Sequence, residues 1–355
     1  MRIALITDPR RTDYPEAIQR AYHRTLCHVI ESIAFAIRGL GHTYMHIEAN
    51  DALLDEIAGF RPDLIFNRSN QRSEETGLAS TPHLLHRLGI PFTGPNARNC
   101  VVAFDKAKTK NILRKMGLRT ANFITFNTPD QVQRPEGLHF PLIVKPVQGG
   151  CSVGIEDENL IHTDKSLQRV CTYLIENYQR PVIVETFIAG REFTVGILGN
   201  QHPEVLPILE YTHPSGNPYH FRSFHNKMHS AKLEKKTCPA NLTEKEEGKV
   251  SDLALNAYHA IGCRDYARID MRFDHQHIPH VLEVNAFPSL IPDGSSFTHM
   301  AAVQGLSFKA LINRILRTAV RRNQRLVDPL ARTVKSQVEI KKESRQQIQD
   351  YFILD

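Results

Sequence analysis

Residues 267–290 read A-R-I-D-M-R-F-D-H-Q-H-I-P-H-V-L-E-V-N-A-F-P-S-L and predict two strands joined by a short polar turn. Arg268 and Asp270 alternate with apolar residues in the first strand, as Glu283 and Asn285 do in the second. Alternate residues of a strand share one face of a sheet. An antiparallel hairpin centred on the polar turn therefore sets Asp270 opposite Glu283 and Arg268 opposite Asn285, with roughly 5 Å between partners.

This hairpin face has the composition of a cation site. Two carboxylates and an amide held close together offer the oxygen ligands that magnesium prefers, and magnesium also takes oxygens from phosphate. The neighbouring arginine indicates a place where negative charge develops. The alternative interpretation is a solvated hairpin face whose acids are incidental.

The composition is that of a globular protein with more than one core. A chain of 355 residues, 41% apolar and 23% charged, predicts two or three packed units. No apolar run approaches the roughly 18–20 residues that cross a bilayer, and the N-terminus lacks the features of a signal peptide. Six scattered cysteines without a C-x-x-C pair predict reduced thiols and a cytoplasmic location.

The net charge of +6 is concentrated near the C-terminus. Arg317–Arg345 contains nine Lys and Arg against three Asp and Glu, which accounts for the whole excess. A uniformly basic nucleic-acid-binding surface is therefore not predicted. The tail Thr318–Asp355 mixes arginines with apolar residues and predicts one or two basic amphipathic helices. Such helices pack on their own core, form a dimer contact or bind an acidic partner, and the sequence leaves these alternatives open.

Residues 1–100 predict a parallel α/β unit. Apolar strands at Ile3–Thr7, Thr43–Ile47 and Leu64–Asn67 alternate with helical patterns that begin at Pro15, Asp51 and Pro82. Ligands of such sheets gather beyond the C-terminal ends of the strands. The ends near Asp8 and Arg68, and the polar loop Asn67–Thr76, are thus candidate substrate contacts, although an ordinary surface loop has the same composition.

A second group of residues predicts a phosphate site. Lys106 lies in a basic amphipathic helix predicted at Asp105–Met116, and Lys145 lies within the apolar strand F-P-L-I-V-K-P. An unpaired buried ammonium group is costly, so Lys145 is expected to meet an anion. The glycine-rich segment Gln148–Gly154 follows directly and can bring backbone N–H groups against phosphate.

The segment Tyr211–Lys236 is rich in His, Ser and Lys and has little strand or helix pattern. A long irregular segment of this kind is usually functional or disordered. Its histidines, His213, His220, His225 and His229, match no standard zinc spacing.

The ordered set of motifs resembles the ATP-grasp superfamily and, within it, the D-alanine–D-alanine ligases. The motifs run through Gly89–Phe308: F-D-K-A-K-T-K, I-V-K-P with G-G-C-S-V-G, I-V-E-T-F-I-A-G-R-E-F-T-V, C-P-A, A-R-I-D and L-E-V-N-A-F-P. The resemblance implies an ATP-grasp fold of the mixed α/β (α+β) class behind an N-terminal parallel α/β domain. It also implies domains at 1–100, 101–188 and 189–316, a basic tail at 317–355, and a homodimer.

The resemblance assigns roles to individual residues. Lys106 and Lys145 are similar to the lysines that hold ATP phosphates. Residues similar to the loop that closes over the phosphates are Gly150, Cys151, Ser152 and Val153, with Cys151 where relatives commonly carry serine. The residues that resemble the adenine and ribose contacts are Glu185, Phe187, Ile188 and Glu192. Lys227 resembles the lysine of the omega loop.

The remaining assignments concern the metal and the reaction. Asp270, Glu283 and Asn285 match the ligands of Mg²⁺, with two ions expected and Mn²⁺ as an alternative. Arg268 matches the arginine that stabilises an anionic tetrahedral intermediate, and Ser289 occupies a position near the reacting carbonyl. The implied reaction is ATP-dependent amide formation: a carboxylate becomes an acylphosphate with release of ADP, and an amine then displaces phosphate.

Three segments depart from the family pattern. The N-terminal glycine-rich segment with its glutamate is replaced by T-D-P-R-R-T-D-Y-P-E-A, and the histidine-glycine acidic loop by F-N-R-S-N-Q-R-S-E-E-T-G. After Asn285, proline-glycine-methionine is replaced by Pro288–Asp293, which places Ser289 at the glycine position. Because these segments surround the substrates in the family, a pair other than two D-alanines is expected.

Three function classes are compatible with the sequence. The first is a ligase of small amino-acid and carboxylate substrates. The second is another ATP-grasp enzyme that modifies a larger acidic substrate bound by the His-rich segment and the basic tail. The third is a non-catalytic nucleotide-binding scaffold, which the retention of Arg268, Asp270, Glu283 and Asn285 disfavours.

Overall fold

The computed structural model describes residues 1–8, 16–69, 79–149, 155–213, 215–217, 219–221 and 234–323, and for residues 16–22 it describes the backbone alone. The chain forms two compact units. One comprises Met1–Arg98 and the described residues from Leu306 onward, and the other comprises Asn99–Gly305. The predicted division into four segments stays a prediction.

The first unit is built on a parallel sheet, as predicted for residues 1–100. Its strands have the order β2–β1–β3. Its elements are β1 (Arg2–Thr7), α1 (Glu16–Gly39), β2 (Thr43–Glu48), α2 (Leu53–Phe60), β3 (Leu64–Asn67), α3 (Ser80–Arg87) and the last described helix, Phe308–Arg322. Ile6 and Ile65 of the sheet pack against Ile57 and Leu85 of the helices. Each such side chain contributes about 1.5–3 kcal/mol by leaving water.

Polar residues at the ends of β1 and β3 bond to one another. Ser69 Oγ donates to Asp8 Oδ1 at 2.5 Å, and Asn67 Nδ2 donates to the carbonyl of Ser69 at 3.1 Å. Asn67 is fully buried, so its side chain shapes the start of the loop. Residues 70–76 of the predicted substrate loop lie outside the described residues.

The second unit contains two antiparallel sheets with their own helices. Its elements are α4 (Ala97–Phe104), α5 (Lys106–Lys115), β4 (Phe123–Phe126), β5 (Leu142–Pro146), β6 (Leu160–Ile161), α6 (Asp164–Tyr178), β7 (Val182–Thr186), β8 (Glu192–Leu198), β9 (Glu204–Val205), β10 (Leu209–Thr212), β11 (Lys235–Thr237), α7 (Glu244–Ile261), β12 (Tyr266–Phe273), β13 (Pro279–Asn285) and α8 (Ser296–Val303). Helix α4 begins at the end of the first unit.

The smaller sheet has the order β4–β7–β5–β6 and is covered by α6. Thr163 caps this helix by accepting a hydrogen bond from the backbone N–H of Ser166. Leu167, Val170 and Leu174 have helical spacing and are buried against the sheet.

The larger sheet has the order β11–β10–β8–β12–β13, with β9 paired to β8. Thr243 caps the N-terminus of helix α7 through a capping box with Glu246, and Gly262 caps its C-terminus in the left-handed conformation. Its buried face, which includes Ala254 and Tyr258, packs on the sheet. Strands β10 and β11 lie at the two ends of the segment predicted to have little strand pattern, so that prediction was wrong at both ends.

The pairing of β12 with β13 contains a β-bulge. Asp270 lies opposite Glu283, whereas the next residue, Met271, lies opposite Val281, which leaves Leu282 as the extra residue. Val281 and Val284 are both buried although they are three residues apart, an odd spacing that an uninterrupted strand does not allow on one face. Because of the bulge, Val281 and Val284 both face the core, while Glu283 and Asn285 remain on the polar face of the sheet.

Among the described residues, no helix combines the length and the apolar character needed to cross a membrane.

Candidate functional site

The hairpin formed by β12 and β13 has the register that the sequence predicted. Asp270 lies opposite Glu283, and Arg268 lies opposite Asn285. Strand β8 pairs with the other edge of β12 and sets Thr194 beside Asp270. The polar face of the larger sheet thus brings these residues side by side.

Hydrogen bonds connect the polar residues of this face. Arg268 donates to both oxygens of Asp270, at 2.9 and 2.8 Å, and Thr194 Oγ1 donates to the same carboxylate. Asn285 Nδ2 donates to Asp270 Oδ2 at 3.0 Å and to Glu283 Oε1 at 2.9 Å. Burial lowers the pKa of Arg268, but the adjacent carboxylate of Asp270 outweighs it, and the net shift is upward. The arginine is therefore charged.

The donor set of this face fits a hard divalent cation. Asp270 and Glu283 supply carboxylate oxygens, and half a turn of the Asn285 amide replaces its nitrogen by its oxygen toward both carboxylates. Among the described residues no group of three His, Cys, Asp or Glu is placed to hold a metal, so a site here depends on the amide of Asn285.

Lysines of α5 and β5 converge on one buried glutamate. Lys110 Nζ lies 3.3 Å and Lys145 Nζ 3.2 Å from the same oxygen, Oε2, of Glu185. Lys110 is fully buried, and Glu185 is 1% exposed. Lys145 thus meets the anion that the sequence predicted. Glu185 Oε1 is buried without a hydrogen-bond partner among the described residues.

Burial and the neighbouring charges shift the pKa values of this cluster. Burial lowers the pKa of Lys106, against the opposing effect of Glu283, and lowers that of Lys110 to about 8, against the opposing effect of Glu185. Burial raises the pKa of Glu185, but Lys110 and Lys145 together outweigh it, so its net shift is downward. The cluster is a buried site with more ammonium groups than this one carboxylate neutralises.

Lys106 joins the cluster to the hairpin through one cleft. Its Nζ donates to the carbonyls of Pro146 and Gly149, at 3.2 and 3.1 Å. An open cleft of about 450 Å³ is lined by Lys106 and Gly149 together with Glu283 and Asn285 of the hairpin. The predicted phosphate lysine Lys106 and two of the three predicted metal ligands, Glu283 and Asn285, therefore face the same space.

The residues predicted to bind adenine and ribose lie at the end of β7 and the start of β8. Phe187 is 7% exposed, and its ring packs near those of Tyr219 and Phe221, with centroids 6.0 and 6.1 Å away. The guanidinium of Arg272 lies over the Phe187 ring at 4.7 Å and 3.9 Å from Glu192. Ile188, next to Phe187, is half-buried.

Of the other predicted residues, the structure describes Ser289, His213 and His220. Ser289 is half-buried, and its carbonyl accepts a hydrogen bond from Ser295 Oγ at 2.7 Å. His213 and His220 stack at 4.0 Å. The following predicted residues lie outside the described part of the chain: Gly150, Cys151, Ser152, Val153, His225, Lys227 and His229.

Two residues of the site, Thr194 and Lys110, were not predicted from the sequence. Thr194 is an even number of residues from Glu192 in β8, and Lys110 lies one helical turn after Lys106. Both spacings are visible in the sequence and place each residue on the functional face of its element.

Comparisons with known proteins bear on this site. The family model described as D-ala D-ala ligase C-terminus matches residues 112–317. An uncharacterised protein, y4sG, of Sinorhizobium fredii (strain NBRC 101917 / NGR234) is 31% identical over 302 residues, which cover 83% of this chain and 88% of that protein. The D-alanine–D-alanine ligase of Aquifex aeolicus (strain VF5) is 31% identical over 288 residues, which cover 81% of this chain and 92% of the relative.

The fold has a solved counterpart. The crystal structure of a D-alanine–D-alanine ligase from Bacillus anthracis complexed with ATP superposes with a TM-score of 0.71, at 22% sequence identity. The match covers 91% of this chain and 99% of that chain. At this identity the likeness concerns the fold, and site roles have to be argued from this chain's own residues.

Proposed function

The chain belongs to the D-alanine–D-alanine ligase family and has the ATP-grasp fold, and from this premise we propose that it joins a carboxylate to an amine through an acylphosphate, with a substrate pair other than two D-alanines. The cleft that Lys106 shares with Glu283 and Asn285 is the observation that carries the proposal. A triphosphate bound there meets an ammonium group on one wall and carboxylates able to share a cation on the other.

The charge of the lysine cluster favours an anionic ligand. Lys106, Lys110 and Lys145 are buried or nearly so, while Glu185 neutralises one charge. Burying uncompensated ammonium groups is costly. A nucleotide phosphate that enters the cleft offsets this cost, which supports ATP as the bound nucleotide.

The proposed mechanism divides the work between the two walls of the cleft. Lys106 and Lys145 orient the phosphates while an oxygen of the substrate carboxylate attacks the γ-phosphorus and the bond to the β-phosphate oxygen breaks, releasing ADP. The amine nitrogen then attacks the acyl carbon, the bond to the phosphate oxygen breaks, and the nitrogen loses a proton. Arg268, held by the two hydrogen bonds that it donates to Asp270, stabilises the negative charge of the tetrahedral intermediate.

Asp270, Glu283 and Asn285 are proposed to hold Mg²⁺, which supplies Lewis-acid stabilisation of phosphate charge when bound. Glycine-rich residues Gly150–Val153, outside the described part of the chain, are proposed from their sequence to donate backbone N–H groups to phosphate. Closing the cleft against water protects an acylphosphate from hydrolysis.

The proposed substrate pair follows from the segments that depart from the family pattern. The N-terminal segment lacks the family's glycine-rich motif with the glutamate that binds the first amino group, and Pro288–Asp293 replaces proline-glycine-methionine. Ser289 keeps a backbone N–H but adds a side chain to this part of the pocket. A narrower or more polar substrate pair, such as a different amino acid or an amino acid with a small carboxylic acid, fits these changes better than two D-alanines.

A substrate screen tests the proposal. The purified chain is incubated with ATP and Mg²⁺ and with pairs of amino acids and small carboxylic acids, and ADP release and product mass are measured. We expect ADP release that requires both a carboxylate and an amine, with an amide product of the summed mass less one water. Release of ADP without amide formation from any pair contradicts the ligase proposal, and a preference for two D-alanines contradicts the substrate proposal.

A further inference from the structure

Lys110 is a buried charged residue that connects three elements of the second unit. Its Nζ lies 3.3 Å from Glu185 Oε2 of β7 and donates to Thr120 Oγ1 at 2.8 Å. Thr120 Oγ1 in turn donates to the carbonyl of Val281 in β13, at 2.7 Å. A chain of hydrogen bonds thus runs from the strand that carries Glu185 to the strand that carries Glu283.

Packing alone does not account for a lysine at this position. The side chain of Lys110 is completely buried, so its ammonium group carries the full energetic cost of leaving water. This burial lowers the pKa of Lys110 to about 8. An apolar side chain of similar volume avoids this cost. The charge of Lys110 is therefore expected to serve a ligand or a neighbouring functional group.

The neighbouring group with an unused bonding capacity is Glu185. Lys110 and Lys145 both engage Oε2, whereas Oε1 is buried without a hydrogen-bond partner among the described residues. A carboxylate oxygen accepts hydrogen bonds but cannot donate them. Of the groups in ATP, the donors are the adenine amino group and the ribose hydroxyls, because the phosphates are acceptors at neutral pH.

We infer that Lys110 is a positioning residue for recognition of the nucleotide base: with Lys145 it holds one oxygen of Glu185 and so keeps the other oxygen available to the amino group of adenine. Phe187 follows directly after the end of β7, two residues beyond Glu185, and its ring packs near those of Tyr219 and Phe221. The inference rests on the proposed function, because it takes this cleft as the ATP site.

Nucleotide binding by the full chain tests the inference without knowledge of the other substrates. Dissociation constants of ATP and ITP are measured by titration calorimetry with Mg²⁺ at pH 7, since ITP carries an oxygen in place of the amino group. We expect Lys110→Met to weaken ATP binding about tenfold while ITP binding changes little, as for the loss of one oriented hydrogen bond to a charged group. Lys110→Arg should restore part of the preference for ATP.

The matched control is Lys108→Met, because the Lys108 side chain is half-exposed on the same helix and, within the described part of the chain, makes only a long ion pair with Asp105. Thr120→Val provides a second variant that removes the hydrogen bond to Lys110 with little change of volume. Thermal unfolding checks that each variant is folded, and Thr120→Val decides the question if Lys110→Met does not fold.

A pH series separates a charge role from a packing role. The groups facing Lys110 are Glu185, Lys145 and Glu283. As pH rises through about 8, wild-type Lys110 loses its own charge, so the ratio of ATP affinities between wild type and Lys110→Met should fall toward one by pH 9.5. A ratio that is constant with pH, or equal losses of ATP and ITP binding, overturns the inference. Failure of the wild type to bind either nucleotide overturns the proposed function as well.

Discussion

Replacing Asp270 by asparagine tests the proposed cation site at the residue with the most partners. Four donor interactions converge on the Asp270 carboxylate: two from Arg268, one from Thr194 and one from Asn285. An asparagine has one acceptor oxygen, so in either orientation of its amide two of these donors lose their acceptor. The variant also leaves Arg268 with Glu283, 3.9 Å away, as its nearby anion.

The loss of stability can be worked from these contacts. Hydrogen bonds to charged groups contribute about 1.5–3 kcal/mol each, and the side chains of Arg268 and Asp270 are 21% and 16% exposed, so water compensates part of the loss. We expect the free energy of unfolding to fall by about 2–3 kcal/mol, which lowers Tm by about 5–10 °C for a unit of this size. The variant should therefore fold at 20 °C.

The effect on nucleotide binding should be larger and should depend on the metal. Wild-type protein is expected to bind ATP more tightly with Mg²⁺ than with a chelator. In Asp270→Asn the ratio of these two ATP affinities should be at least about tenfold smaller than in the wild type. Turnover should fall at least about 100-fold once a substrate pair is known. Asp252→Asn, the same change on an exposed position of α7, is the matched control. A folded Asp270→Asn variant with the Mg²⁺ dependence of the wild type would show that the cation is not held here.

Thr194→Val removes the hydroxyl that donates to the central carboxylate and should weaken Mg²⁺-dependent ATP binding about 10-fold to 100-fold, whereas an effect below twofold makes this hydroxyl dispensable. Gly190→Ala should destabilise the protein by about 2–4 kcal/mol in urea unfolding, because Gly190 has φ of +152° and an added Cβ lies 2.3 Å from the carbonyl oxygen of Phe273. Gly59→Ala, near the C-terminal end of α2 where an added Cβ meets none of the described atoms within 4 Å, should instead stabilise by about 0.4–1 kcal/mol, and equal effects of the two changes contradict the strain argument. Ser289→Gly should widen the range of accepted substrates in the ADP-release screen, and an unchanged range places substrate selection elsewhere.

The parts of the site that could be predicted from the sequence follow local rules. Period-two alternation fixed which residues of the hairpin share a face, and the short polar turn fixed which of them lie opposite one another. The need of Lys145 for an anion followed from its apolar surroundings. Helix α7, Glu244–Ile261, is likewise marked by signals local to the sequence, namely its Thr243 cap and the spacing of its apolar residues.

The parts that could not be predicted depend on residues far apart in the chain. Glu185 is 75 residues from Lys110 in sequence, and nothing local to either residue indicates their contact. The order β4–β7–β5–β6 likewise depends on pairing between distant strands. Helix α6 is a different case: it was not among the predicted elements although its apolar residues have helical spacing.

The bulge at Leu282 divides β13 into two short halves, each with its own alternation of buried and polar side chains. Residues 279–281 belong to the packing of the core, and residues 283–285 belong to the cleft, with a single residue between them to absorb the change of phase. Variation in the turn and in the first half can therefore accumulate without rotating Glu283 away from Asp270. A one-residue deletion at Leu282 would fuse the halves and force a choice between a buried glutamate and an exposed valine. Changes of length in the turn therefore leave the pairing of Asp270 with Glu283 intact, whereas a change of length at Leu282 disrupts it.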